Sequence, residues 1–195
     1  MIRSLALLFA LCVMFSHNAL AYNPYYAPPY QAQEDPVVTI QTALDKLKTF
    51  SANRRNINPI LLRSFIENEI IPHFAFDQMT RWIAGPYARQ MSPAALDELE
   101  QRVKQTFLAS MAKHLGSFDA DATRVNFRPA HYRSPTEATV TAMIYRQPGM
   151  RPDRLDFRMR AHNYSWKIID VKANGTSAVL YYRKHFMDQL RNMRY

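Results

Sequence analysis

The chain has 195 residues, with 25 lysines and arginines against 16 aspartates and glutamates, for a net charge of +9. Its length suits one domain with one sizeable apolar core. The single cysteine, Cys12, excludes a disulfide framework, so that core must hold the fold without covalent help.

Met1–Ala21 reads as a secretory signal peptide: Arg3 gives a short positive start, Leu5–Phe15 an apolar run, and Ala19-Leu20-Ala21 a small-residue cleavage site. The run is shorter than the about 20 residues that span a bilayer. Leu11 stands where a lipoprotein anchor at Cys12 would need a small residue. Cleavage near Ala21 leaves a cysteine-free, still basic chain suited to a periplasm. Export argues against nucleic acid as the partner of that charge and favours an anionic lipid surface or a phosphate headgroup. Residues 22–34, rich in Pro and Tyr and without periodicity, read as an extended leader. Residues 35–195 read as a single domain with no internal repeat.

Asp35-Pro36 pairs a capping residue with a proline at the first helical position, and Val37, Ile40, Leu44 and Leu47 follow at helical spacing. Asn58-Pro59 repeats the signal before Leu61, Leu62, Phe65, Ile66 and Ile70, and Pro72 ends that stripe. Asp77 is expected to cap a short helix over Gln78–Ala84, stopped by Gly85-Pro86. Ser92-Pro93 opens a long helix with the stripe Leu96, Leu99, Val103, Phe107, Met111 and Leu115, closed by Gly116.

Beyond Gly116 the period becomes two. Strands are expected over Thr123–Arg128, Glu137–Gln147, Arg154–His162 and Ser165–Val171, with turns at Pro148-Gly149 and Asn163-Tyr164. In "RLDFRMRAH", Leu155, Phe157, Met159 and Ala161 alternate with Arg154, Asp156, Arg158, Arg160 and His162. A last helix follows over Val179–Leu190. Asn174-Gly175-Thr176 fits a glycosylation acceptor, a hairpin turn or a corner into that helix. The helical period after Gly175 favours the corner, with Ser177 as the cap. Helices and strands are segregated, which makes the fold α+β. The expected architecture packs the N-terminal helices and the C-terminal helix on one face of a curved antiparallel sheet of about four strands.

Catalytic signatures are missing: no G-x-S-x-G, H-E-x-x-H or P-loop occurs. His73, His114, His131, His162 and His185 show no metal-ligand spacing. Asp119-x-Asp121 begins like a calcium loop that does not continue. Four glycines cannot build a phosphate cradle. No metal and no cofactor is therefore expected. Met and Phe are abundant, at 10 and 11 residues. They either fill the core or line a surface for varied apolar ligands.

Two stretches carry a resemblance. "PHFAFDQMTRWIAGPYARQMSPA" (Pro72–Ala94) has a short helix ending in Gly85, then Tyr87, Arg89, Ser92-Pro93 and a long amphipathic helix. "WKIIDVKANGTSAVLYYRKHF" (Trp166–Phe186) has Trp166, Lys167, Asp170, Gly175, Ser177, Tyr182, Arg183 and Phe186. Together they resemble the MlaC family of periplasmic phospholipid-binding proteins, also described as auxiliary components of ABC transporters and as toluene-tolerance proteins. Ala95, Met111 and Thr176 depart from that pattern. The resemblance spans about residues 36 to 191.

It implies a monomeric, non-enzymatic carrier whose apolar cavity takes phospholipid acyl chains. Such a carrier moves lipid between outer and inner membranes and so maintains outer-membrane lipid asymmetry. Its implied partners are an outer-membrane lipoprotein complex and an inner-membrane ABC transporter complex. On this basis Leu155, Phe157, Met159, Trp166 and Ile168 are expected to line the cavity from the sheet. Met79, Trp82, Ile83, Phe107, Met111 and Tyr182 are expected from the helices. Arg81, Arg89 and Arg183 are candidates for the headgroup or for docking. The competing expectation is a periplasmic enzyme on a similar cavity scaffold, which would need polar groups converging in that cavity.

Overall fold

The computed structural model describes residues 34–52, 58–115, 123–146 and 149–192. The expected signal peptide, most of the expected leader, Gly116, Pro148 and the Asp119-x-Asp121 pair lie outside the described residues. Among the described residues five α-helices form: α1 (Pro36–Ala52), α2 (Pro59–Phe65), α3 (Phe76–Ala84), α4 (Pro93–Leu115) and α5 (Ala178–Asn192). The described residues between α4 and α5 hold six strands: β1 (Arg124–Phe127), β2 (His131–Ser134), β3 (Glu137–Tyr145), β4 (Asp153–His162), β5 (Ser165–Ala173) and β6 (Thr176–Ser177).

The proline-led helix starts act as their chemistry requires. Asp35 Oδ1 accepts from the Val37 amide at 2.8 Å, Asn58 Oδ1 from the Ile60 amide at 2.8 Å, and Ser92 Oγ from the Ala95 amide at 3.2 Å. Each satisfies an amide that the helix itself leaves unpaired. α2 runs on through a π-helical turn (Ile66–Ile70) and a 3-10 turn (Ile71–His73), so Pro72 closes the stripe.

α3 begins at Phe76 rather than at Gln78, and Asp77 is not its cap. The sheet sets that start. The Ala75 amide donates to the Ile168 carbonyl at 2.9 Å, and Phe74 bridges Ile168 in parallel, pinning the chain to the free side of β5. Gly85 ends α3 with φ 58° and ψ −130°, a conformation open essentially to glycine alone.

The sheet is antiparallel, in the order β1-β3-β4-β5-β6, with β2 also pairing β3. β1 sits opposite Ala142–Tyr145 and β2 opposite Glu137–Thr139, so the two short strands share one edge of β3 end to end. Along β4 and β5, Arg158 faces Asp170 and Met159 faces Ile168, which leaves Ile169 as the extra residue of a bulge. A bulge increases local twist and bends the strand, giving the sheet its curvature. The α+β class holds. β2 and β6 add to the four expected strands; four and two residues long, they are too short to carry a period.

Asn174-Gly175 corrects an expectation. The structure forms both the hairpin and the helix corner. Ala173 pairs with Thr176 across a two-residue turn, with Asn174 at φ 49° and Gly175 at φ 91°. Two successive positive φ values match the right-handed twist of paired strands, and Asn-Gly adopts them at little cost. Ser177 ends β6 and caps α5, its Oγ accepting from the Leu180 amide at 3.1 Å. The hairpin is short enough that the helical period beginning at Ala178 hides it in sequence.

Among the described residues, apolar side chains gather in three clusters. The first joins α3, α4 and α5 through Phe76, Met79, Ile83, Leu99, Val103 and Val179. The second joins α1 to the sheet through Ile40, Ala138, Val140, Met159, Trp166 and Ile168. The third joins α2 and its π turn to α4 through Leu62, Ile66, Ile70 and Leu108. Phe74 packs against all three.

Candidate functional site

The segment Pro72–Phe76 is where helices and sheet meet. Across the extended backbone before α3, Phe74 and the buried Phe76 stand two residues apart and so point to one side, their rings stacked with centroids 5.6 Å apart. Phe107 of α4 completes an aromatic triad. Its ring centroid lies 4.7 Å from that of Phe74 and 5.4 Å from that of Phe76, in tilted and edge-on geometry. Such pairs are favoured by ring electrostatics beyond the area they bury. Phe74 and Phe107 are each half-buried, so the triad forms a seam between the first two clusters rather than a closed core.

The expected site residues divide along this seam. Met79 and Ile83 are buried in the α3–α4–α5 cluster, with Trp82, Phe107 and Tyr182 packed at its edge. Met111 packs instead against Leu62, Ile66, Ile70 and Leu108. Met159, Trp166 and Ile168 are buried under α1, with Phe157 half-buried beside them. Leu155 lies further along β4, half-buried between Ala142 and Ala173 of the neighbouring strands. Phe74 is therefore the residue that links the two walls, and it is missing from the sequence-based set. Its signal was the i, i+2 aromatic pair in "PHFAF", which reads as the end of a helix until β5 is known to lie beside it.

The polar surroundings are ordered. Trp82 receives the guanidinium groups of Arg158 and Arg160 at 5.1 and 5.7 Å from a ring centroid, a cation–π arrangement. Arg160 also pairs with Glu137 across the β3–β4 ladder, and that hydrogen bond holds the Glu137 carboxyl below the usual glutamate range. Burial pushes the Tyr182 phenol upward. Asp170, at 2% exposure, accepts from Ser177 Oγ at 2.7 Å and from the Val179 amide at 3.2 Å. Thr80 Oγ1 is buried in α3 with no hydrogen-bond partner among the described residues.

The two resembling stretches touch. A Cβ built on Gly85 would stand 2.8 Å from Arg183 Nη2, so the glycine that ends α3 is also the floor under an α5 guanidinium. Arg81 and Arg89 are exposed on α3 and on the 3-10 turn after it. One cleft of about 250 Å³ opens between the α3 start and the β4–β5 turn, lined by Phe74, Gln78, Arg160, His162 and Lys167 among others. Another of about 560 Å³ runs between α1 and the π turn. Among the described residues no group of three or more His, Cys, Asp or Glu could hold a metal ion, and no helix is long and apolar enough to cross a membrane.

A family model described as MlaC protein matches residues 38–195. The chain belongs to the MlaC family. No curated protein matches it significantly. Among solved structures, a phospholipid-binding protein from Ralstonia solanacearum, determined in complex with a phospholipid, shares the fold with a TM-score of 0.72. The two are 21% identical over 82% of this chain and 89% of that one. Membership in the MlaC family points to a binding or transport protein rather than an enzyme.

One titratable group of this MlaC chain sits beside the seam. His73 is depressed below its ordinary value of 6.5, first by burial and then by the charges of Lys46 and Lys167, with Glu69 opposing. Lys167 is held there by its Nζ, which donates to the Pro72 carbonyl at 2.6 Å. In the unfolded chain His73 takes its proton near pH 6.5, and in the fold only at lower pH. Between those points the unfolded state binds more protons, so stability rises with pH. Lowering pH from 7 through 6.5 is expected to weaken the fold. Urea titrations of His73→Gln should show a shallower loss over that window than wild type.

Proposed function

We propose that this chain is a periplasmic phospholipid carrier that shuttles lipid between outer and inner membranes and maintains outer-membrane lipid asymmetry. The carrying observation is the fold, shared over 82% of the chain with a protein solved in complex with a phospholipid. In this reading residues 1–21 direct export and are removed near Ala21, residues 22–34 are a leader, and residues 35–195 are the lipid-binding domain, acting as a monomer. The acyl chains enter at the seam, parting the α3–α4 wall of Met79, Ile83 and Phe107 from the β4–β5 wall of Phe157, Met159, Trp166 and Ile168, with Trp82 at the rim over Arg158 and Arg160. Leu155, Met111 and Tyr182 extend those walls. Arg81, Arg89 and Arg183 serve the headgroup or dock on the outer-membrane lipoprotein complex and the inner-membrane ABC transporter complex.

Each buried methylene of an acyl chain contributes about 0.8 kcal/mol. A carrier that takes a diacyl lipid out of a bilayer must therefore shield nearly all of both chains. Half-buried aromatics at a seam suit that task, because they separate without leaving polar groups unpaired. Native mass spectrometry of the purified protein is expected to show phospholipid masses bound to the folded chain. Protein that arrives lipid-free and takes up none from liposomes would overturn the carrier reading.

A further inference from the structure

At one end of the sheet the chain entering β4 meets the Asn174-Gly175 turn, and α5 begins three residues beyond Gly175. Asn174 ties the first two together. Its Oδ1 accepts from the Arg154 amide at 2.9 Å, its Nδ2 donates to Asp153 Oδ1 at 3.1 Å, and its own amide donates to the Arg154 carbonyl at 2.8 Å. Ser177, two residues beyond Gly175, caps α5. Three large apolar side chains stand in water on these segments: Met150, Leu180 and Tyr181, at 62%, 63% and 64% exposure. A single exposed apolar residue is ordinary, but a group of them on adjoining segments marks an interaction surface.

The charges around them have one dominant sign. Arg151 is exposed next to Met150, and Lys172 lies on β5 one residue before the hairpin's last pair; neither has an ion-pair partner among the described residues. Arg146 and Arg154 pair with Asp153 and Asp156 and so absorb the nearby carboxylates. One turn along α5 from Leu180, on the same face, Lys184 is exposed. Apolar side chains that reach past a ring of cations match the layering of an anionic bilayer, whose phosphates overlie its acyl chains. Neither a neutral membrane nor an acidic solute would use both components.

We infer that this end of the sheet is a docking surface for the headgroup layer of an anionic lipid bilayer. Met150, Leu180 and Tyr181 enter the interface, and Arg151, Lys172 and Lys184 meet the phosphates. The surface adjoins the seam at Tyr181, whose ring meets that of Tyr182 edge-on at 5.6 Å. Among the described residues Met150, Leu180, Arg151 and Lys172 touch none of the proposed wall residues through a ring contact or ion pair, so variants at those four read adhesion independently of lipid loading.

Sedimentation with vesicles tests it. Wild-type protein is expected to bind vesicles of phosphatidylglycerol and phosphatidylethanolamine, to leave phosphatidylcholine vesicles, and to be released by high salt. Two variants should each lose about tenfold or more in vesicle affinity: Met150→Ser with Leu180→Ser, and Arg151→Glu with Lys172→Glu. Both should keep wild-type lipid content in native mass spectrometry. Three results would each overturn the inference: no vesicle binding by the wild type, equal binding to neutral and anionic vesicles, or wild-type binding by both variants. Lipid-free protein that still adheres to anionic vesicles would overturn the carrier reading and leave this surface standing.

Discussion

Asp170→Ala is expected to cost on the order of 3 kcal/mol of stability and to lower the melting temperature by about 6–12 °C in circular dichroism. The carboxylate is almost fully buried, at 2% exposure, and both of its oxygens are used. Oδ2 accepts from Ser177 Oγ and Oδ1 from the Val179 amide. Alanine leaves a buried hydroxyl and a buried amide without their acceptor, and hydrogen bonds to a charged group rank among the stronger ones. Ser177→Ala is expected to cost less, about 2 kcal/mol: Asp170 loses one donor but keeps the Val179 amide, and the Leu180 amide loses its cap. A loss for Asp170→Ala no larger than that for Ser177→Ala would show that the pair is not the anchor. The anchor matters to the seam, since it fixes the start of α5. From there Val179, Tyr182 and Phe186 reach the α3–α4 cluster and Arg183 covers Gly85.

This anchor also shows what a linear reading reaches. Ser177 as a cap is a local matter, and the sequence makes it plain. That its hydroxyl also donates to Asp170, seven residues back, depends on β5 and β6 folding together, which no local pattern records. The proline-led helix starts are local too, and they match the structure at Asp35, Asn58 and Ser92. α3 differs because its start is set by Ile168, almost a hundred residues downstream. The clean alternation in β4 correctly separated Phe157 and Met159 from Arg158 and Arg160. It could not say which helix would cover which side. α1 took the face with Met159, while Trp82 of α3 took the guanidinium groups of Arg158 and Arg160. The bulge at Ile169 was invisible for the same reason: an extra residue exists only relative to a partner strand. The seam is a product of such long-range choices, which is why Phe74 entered the candidate site only from the structure.

The seam makes a second, larger prediction. Phe157→Asp on the sheet wall and Phe107→Asp on the helical wall are each expected to reduce bound phospholipid at least about tenfold. Both positions are half-buried, so a carboxylate there can reach water in the empty protein. Against an acyl chain it cannot. Loading then means either burying an unpaired charge or leaving methylenes exposed, and a loss of two buried methylenes alone is about 1.6 kcal/mol, more than tenfold in affinity. Met159 is unsuited to the same test. It is fully buried under α1, and aspartate there would unfold the protein before lipid could report anything. Phe157→Leu and Phe107→Leu serve as controls, because they keep the walls apolar at some cost in packing. Native mass spectrometry after exposure to liposomes reads the outcome, with circular dichroism confirming the fold. Loss from both aspartate variants and neither leucine variant would place the acyl chains between the two walls. Loss from only one would confine them to that side of Phe74. Wild-type loading in both would mean that lipid binds elsewhere on the domain, and the seam would then be no more than a packed joint between helices and sheet.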